Sequence, residues 1–346
     1  MKKGTGMKQY PKRTYEMYGE DPEPSLLTKK MIASMVEELE PEEDCFGERS
    51  LKIDVPIGYG WYGEVRLTPI PEPTIEPKGD AVIPISEDVI VIPDVHGRDF
   101  WRDAVANRGD REVIFLGDYI DPYSNEQITD AKALEGLRDI MQLKKEHPDK
   151  ITLLLGNHDA QYIYPELYSG RYCEEHAEEY RSIFLGQREL FKLLDIRMIG
   201  GKKFIFSHAG ITFDWLRLMH KWFGCPELKP HWEDKERKGF KDALSKYLRE
   251  DIINAEFQKG DYKRLEIPLA YASDYRSGCN RYGSLLWADY QEFIFSFMYP
   301  EKTEGVVQVC GHSQQYGGKP YIKENYACLD CRKAFIINEN YEIKKF

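Results

Sequence analysis

VIVIPDVHGRDF (Val89–Phe100) and VIFLGDYID (Val113–Asp121) decide how this chain is read. Each opens on a short apolar run, Val89–Ile92 or Val113–Leu116, and breaks at once into acidic and histidine residues. Runs of this length, rich in β-branched residues and bounded by turn formers, read as buried strands. Just past their carboxyl ends stand Asp94 and His96 in the first, Asp118 and Asp121 in the second. In α/β sheets that rim is where ligands bind. The pair therefore predicts a metal site at a sheet edge.

Outward from this pair the pattern repeats. Ile151–Leu155 runs into GNHD, Lys203–Ser207 into HAG, and VVQVCGH spans Val306–His312. Five apolar runs thus end in Asp94 and His96, in Asp118 and Asp121, in Asn157–His158–Asp159, in His208 and in His312, taking four of the eight histidines. One histidine at a strand end is ordinarily just a satisfied polar residue; five such endings call for another reason. Carboxylate, imidazole and amide together suit two borderline divalent metals (Mn, Fe or Zn) better than the all-oxygen preference of Mg or Ca. Two such ions, about 3.5–4 Å apart, clamp a phosphoryl group for in-line displacement. Their repulsion calls for a bridging carboxylate, and Asp118, at the tip of its strand, is the best placed.

Between the runs lie helical patterns: one starting near Arg98, one across Asp130–Glu146, and stretches between Glu174 and Leu194. This is the rhythm of an α/β fold. Residues 214–270, rich in charge and aromatics, read as a helical insertion, and ACLDC and KAFIIN as further strands. Residues 1–80 read as an N-terminal extension: a capped helix over Ser25–Glu40, then GYGWYGEV (Gly58–Val65) as a hairpin or a ligand-covering loop. Prolines 69, 71, 73 and 77 make a stiff connector, with the boundary near Gly79 and the main domain over 81–346.

The balance of 48 basic against 59 acidic residues, net −11, gives no overall field toward nucleic acid or an anionic membrane. No apolar run approaches the ~18 residues of a membrane span, and the polar start has no apolar core of a secretory signal. Seven irregularly spaced cysteines predict no disulfide framework. The lone Cys328-x-x-Cys331 cannot complete a four-ligand zinc site and reads as structural thiols. The expected location is cytoplasmic.

The motifs resemble those of the calcineurin-like metallophosphoesterases, and within them the phosphoprotein phosphatases. PDVHG, GDYIDPY, GNHD, SHAG and CGH follow that family's GDxHG, GDxxDRG, GNHE, HGG or HAG, and Gly-His, in order. GSLLWADY (Gly283–Tyr290) is similar to its LLWSDP segment, so the likeness covers roughly residues 88–337. The resemblance implies a β-sandwich flanked by helices, with metals at the strand ends. It implies Asp94 and His96 on the first metal, Asp118 bridging, and Asn157, His208 and His312 on the second. A hydroxide shared by the metals would attack phosphorus, and His158, held by Asp121, would protonate the leaving oxygen.

Two departures stand out. Pro122 replaces the arginine of GDxxDRG, removing a bidentate phosphate ligand; Arg98 and Arg281 are the candidates to take its place. The stretch between His208 and Trp287 is long, so the insertion is expected to cap the site. The reading is a metal-dependent phosphatase of phosphoserine, phosphothreonine or phosphotyrosine in proteins. The alternatives are hydrolysis of dinucleoside polyphosphates or other small phosphoanhydrides, and a metal-stabilised binding scaffold without turnover.

Overall fold

Continuous apolar runs, rather than alternating ones, are what a strand needs when both its faces are covered. Every residue of the Val89–Ile92, Ile151–Leu154 and Val306–Cys310 strands is buried. The computed structural model describes residues 83–346 apart from 165–166, 168, 213, 217–218, 220–247, 249, 261–264, 266–267, 281 and 295–305; before residue 83 it describes only the backbone of four strands.

Those four are β1 (Tyr15–Met17), β2 (Glu42–Glu43), β3 (Arg49–Gly58) and β4 (Trp61–Pro69), an antiparallel sheet in the order β1-β4-β3-β2. Gly58 pairs with Trp61, so of the two readings of the glycine–aromatic segment the hairpin is the one found. The helix expected over Ser25–Glu40, the proline connector and the boundary near Gly79 lie outside the described residues.

The strands that follow are β5 (Ile85–Ser86), β6 (Val89–Ile92), β7 (Glu112–Phe115), β8 (Ile151–Leu154), β9 (Phe191–Lys192), β10 (Leu194–Ile199), β11 (Lys202–Ser207), β12 (Val306–Cys310), β13 (Tyr321–Ile322), β14 (Tyr326–Cys328), β15 (Phe335–Ile337) and β16 (Ile343–Lys345). They form two six-stranded sheets, ordered β16-β15-β6-β7-β8-β9 and β13-β14-β12-β11-β10-β5. Strands β6 to β9 run parallel, as do β11, β12 and β14.

The pleat sends successive side chains to opposite faces, and that alternation builds the layers. Val89, Val91, Ile114, Leu116 and Leu154 from one sheet meet Phe204, Phe206, Val307 and Val309 from the other in a shared core. Ile90, Ile92, Val113, Phe115 and Leu153 face the opposite way and join the helices in a second core. The result is the two-sheet sandwich with helical cover that the resemblance implied, rather than one open sheet.

The helices among the described residues include α1 (Phe100–Ala106), α2 (Asp130–Glu146), α3 (Asn157–Ala160), α4 (Ala177–Gly186), α5 (Glu250–Lys259) and α6 (Tyr290–Ile294). Helix α2 shows why such a segment is helical: the Thr129 side chain caps the Lys132 N–H, Lys144 and Lys145 sit in the last turn, and Leu134, Leu137, Ile140 and Met141 recur on its buried stripe. Of the insertion expected over 214–270, the described part includes α5, anchored by Asn254 to the backbone of Leu193 and Leu194; residues 220–247 lie outside. No helix among the described residues is long and apolar enough to cross a membrane.

Candidate metal centre

Parallel strands of both sheets deliver their carboxyl ends to one place. β6 hands over to Asp94 and His96, β7 to Asp118 and Asp121, β8 to Asn157 and His158, β11 to His208 and β12 to His312. All of these residues are buried. Backbone bonds tie the loops together: the N–H groups of Val95 and His96 donate to the carbonyl of Asp118 (3.0 and 2.7 Å), and that of Gly311 to the carbonyl of His208 (2.8 Å). His96, Asp118, Asp121 and His312 take left-handed φ values of 45°, 53°, 58° and 64°. Such backbone costs about 1–2 kcal/mol in a residue with a Cβ.

Two glycines owe their identity to this crowding. A Cβ on Gly156 would lie 2.1 Å from a carboxylate oxygen of Asp118, and one on Gly311 would lie 2.1 Å from a carboxylate oxygen of Asp94. The glycines of GNHD and CGH make room for the neighbouring acid.

Two trios bring their ligand atoms within 4.8 Å of one another: His96, Asp118 and His158, and Asp118, His208 and His312. Asp118 belongs to both. Its Oδ2 faces His96 Nε2 at 3.4 Å and its Oδ1 faces His208 Nε2 at 3.5 Å. The surrounding imidazoles hold this carboxyl well below the usual range, against the upward push of burial. Asn157 Oδ1 joins the second trio, 2.9 Å from His208 Nε2 and 3.0 Å from His312 Nδ1. Asp94 is in neither trio; both its oxygens accept from the His312 N–H, at 2.9 and 3.1 Å.

The donor set fits a divalent cation. Nδ1–H of His96 donates to the Ile120 carbonyl and Nδ1–H of His208 to the Leu116 carbonyl, both at 2.8 Å, so each Nε2 turns a lone pair inward. His312 Nε2 is buried without a hydrogen-bond partner, while its Nδ1 faces two acceptors. Lone pairs converging with too few protons to share describe a cation site.

Within the first trio, His158 Nδ1 lies 3.0 Å from Asp121 Oδ2, with Ser169 Oγ at 3.2 Å. Asp121 also accepts from the Tyr162 hydroxyl (2.6 Å) and from the Gln161 amide. Burial pushes the Asp121 carboxyl up to about 8, and burial likewise pushes the His158 imidazole well below its usual range. Three donors around one carboxyl nevertheless match the ionised form, so the proton is assigned to His158 Nδ1. The other side of that ring meets the guanidinium of Arg171, Nη2 to Nε2 2.8 Å. An arginine can only donate, which makes Nε2 the acceptor.

Sequence reasoning named Asp159 without giving it a role and missed Arg171. Asp159 accepts from the N–H groups of Asp118 (2.8 Å), Tyr119 (2.9 Å) and Gly156 (2.9 Å), fixing the loop that carries the shared carboxylate. The last letter of GNHD was its only signal. Arg171, in a YSGRY turn without a motif, gave none. Of the two arginines expected to replace the one absent at Pro122, Arg98 spends Nε and Nη2 on Glu126 (2.6 and 3.0 Å), and Arg281 lies outside the described residues. The described cysteines are free, and the Cys328 thiol donates to the carbonyls of Gly311 and Ser313, bracketing His312.

A two-sheet α/β fold with imidazole and carboxylate groups gathered at its strand ends defines a class: the metal-dependent phosphoesterases. The sequence profile described as Calcineurin-like phosphoesterase matches residues 88–316, and the chain belongs to that family. Over 138 residues it is 31% identical to serine/threonine-protein phosphatase PP1-1 of Saccharomyces cerevisiae, covering 37% of this chain and 40% of that protein. Over 157 residues it is 27% identical to the serine/threonine-protein phosphatase 6 catalytic subunit of Drosophila melanogaster, covering 40% and 46%. The matches thus span less than half the length of either relative. Among solved structures, a cold-active protein tyrosine phosphatase aligns with 88% of this chain and 98% of its own, at 13% identity and a TM-score of 0.42. A serine/threonine phosphatase from Saccharomyces cerevisiae aligns over 75% and 80%, at 14% identity and a TM-score of 0.39.

Proposed function

We propose that this protein is a dinuclear metal-dependent phosphatase of phosphomonoesters, with phosphoserine and phosphothreonine in proteins as the first substrates to test. The observation that carries this is the Asp118 carboxylate, whose two oxygens face imidazoles of two different trios. Asp94, His96 and Asp118 would hold one ion; Asp118, Asn157, His208 and His312 would hold the other. Manganese is the first candidate, with iron and zinc as alternatives. When bound, such ions act as Lewis acids on a phosphoryl oxygen and supply a nucleophile at neutral pH.

The chain's own residues do the rest. Asp118 would give two such ions a shared negative charge in a buried site where their repulsion would otherwise be severe. Asp121 holds the His158 ring by Nδ1–H, which leaves Nε2 as the atom that, once it has taken up a second ring proton from solvent, would pass that proton to the departing oxygen. Tyr162 and Gln161 saturate the remaining lone pairs of Asp121 and keep that carboxylate from turning. The likeness to serine/threonine phosphatases supports a phosphoprotein substrate.

The test is a turnover screen of metal-reconstituted protein, with phosphopeptides and dinucleoside polyphosphates assayed side by side and bound metal counted by elemental analysis. Phosphopeptide hydrolysis that stops on chelation and in Asp118→Asn is the expected result. Full turnover in metal-free protein would exclude the mechanism, and turnover of the dinucleotides alone would reassign the substrate.

A further inference from the structure

Pro122 leaves a gap in cationic chemistry, and the structure brings a guanidinium to that gap from elsewhere in the chain. Arg171 Nη1 donates at 2.8 Å to the carbonyl of Asp121, the residue directly before Pro122. Its guanidinium carbon lies 3.7 Å from the ring centroid of Tyr123, the residue directly after. Its Nη2 stands 2.8 Å from His158 Nε2 and 3.5 Å from His96 Nε2. A loop some fifty residues downstream thus seats an arginine on the backbone where the family's own arginine is absent.

Among the described residues, the charge of that arginine has no paired carboxylate. Arg98 and Arg332 both pair with Glu126, and Arg276 pairs with Asp289, but among the described residues no carboxylate lies within ion-pair distance of Arg171. A half-buried guanidinium facing a cation site is unfavourable unless an anion sits between them. A phosphoryl dianion supplies that charge and matches the planar fork of donors.

We propose that Arg171 binds the phosphoryl group of the substrate in place of the arginine absent at position 122, with Tyr123 as the platform that fixes the guanidinium plane. The assignment rests on the phosphatase reading. An arriving phosphoryl oxygen takes the Nη2 hydrogens now shared with His158, and the freed Nε2 lone pair can then take up a proton from solvent and present it to the leaving oxygen. Tyr123 is a positioning residue: it touches the guanidinium, not the phosphate.

The experiment compares metal-reconstituted wild type with Arg171→Ala, Arg171→Lys, Tyr123→Leu and the double variant Pro122→Arg/Arg171→Ala. Inorganic phosphate affinity is measured by titration calorimetry, kcat and KM on nitrophenyl phosphate, and metal content by elemental analysis. Arg171→Ala should weaken phosphate binding and raise KM about 10- to 100-fold, the loss of a charge-assisted bidentate contact, with metal content unchanged. Lysine should recover part of this, Tyr123→Leu should lie between, and Pro122→Arg should restore affinity in the alanine background. If the alanine variant does not fold, the lysine variant decides, because it keeps the stem and the charge but not the fork. Wild-type phosphate affinity in the Arg171 variants overturns the assignment, as does loss of metal in step with loss of affinity. Wild-type protein that binds phosphate through Arg171 without turnover supports the assignment and sinks only the phosphatase reading. Wild-type protein that binds no phosphate overturns both.

Discussion

His208 Nε2 and His312 Nδ1 stand 3.1 Å apart, with the amide oxygen of Asn157 within 3.0 Å of each. With the one proton of His208 committed to the Leu116 carbonyl, at most one hydrogen serves this triangle of acceptors. A cation placed among them relieves the whole arrangement, so its removal should be felt by the fold. Chelator-treated protein should melt lower than protein resupplied with Mn²⁺, by several degrees. Ligand at a hundredfold excess over its dissociation constant contributes about 2.7 kcal/mol. Identical melting curves with and without the ion, by scanning fluorimetry, would remove the case for a site here.

Gly156→Ala tests the same centre from the backbone. The added methyl would land on the Asp118 carboxylate, which cannot retreat because the His158 N–H (2.9 Å) holds its Oδ1. We expect bound metal to fall by at least one ion per chain and turnover to drop more than about a hundredfold, on the scale seen when a supporting contact of a metal site is lost. Full metal occupancy in the alanine variant would show that Asp118 is not a ligand.

His158→Asn addresses the proton rather than the ions. Loss of a positioned acid typically costs about 10²–10⁴ in rate, and the cost should be largest for alkyl phosphates and small for nitrophenyl phosphate, whose leaving group needs no proton. Metal content should stay at the wild-type level. Since His158 lies within the first trio, a fall in metal content would instead make it a ligand.

A pH-dependent stability is expected from a charge cluster outside the candidate ligands. Lys192 pairs with Asp195 (2.6 Å) and Glu250 (3.1 Å), and Arg197 pairs with Asp195 (2.6 Å) and Glu112 (3.3 Å). Three carboxyls face two cations, and burial together with the Asp195 charge raises Glu250 to about 7. A carboxyl raised on folding binds its proton more tightly in the folded state. Its stabilising effect is therefore present at low pH and lost as pH rises from about 4.5 through 7. Urea unfolding of wild type should show a decline over that window of on the order of 1–3 kcal/mol, and Glu250→Gln should flatten it. Equal slopes for the two proteins would refute the assignment.

The strands and their chemistry were legible because each apolar run stops where its acid or histidine begins. The two-sheet layout came only through the resemblance, and which sheet each strand joins was not legible: β7 and β12 are both buried on both faces, so nothing in Val113–Leu116 or Val306–Cys310 tells them apart. The candidate ligands could be read because motif spacing follows the chain locally. Arg171 could not, because its placement depends on a tertiary bond to the Asp121 carbonyl and a ring contact with Tyr123. Arg98, next to a motif, attracted attention that Glu126 had already claimed.

The left-handed backbone at His96, Asp118, Asp121 and His312 has an implication for how this chain can drift. Valine, isoleucine and threonine are effectively barred from such torsions, and glycine, asparagine and aspartate tolerate them best. Histidine and aspartate are, with asparagine, the residues carrying a Cβ that enter this region most readily, so the main chain itself narrows these four places toward the residue types a cation site uses.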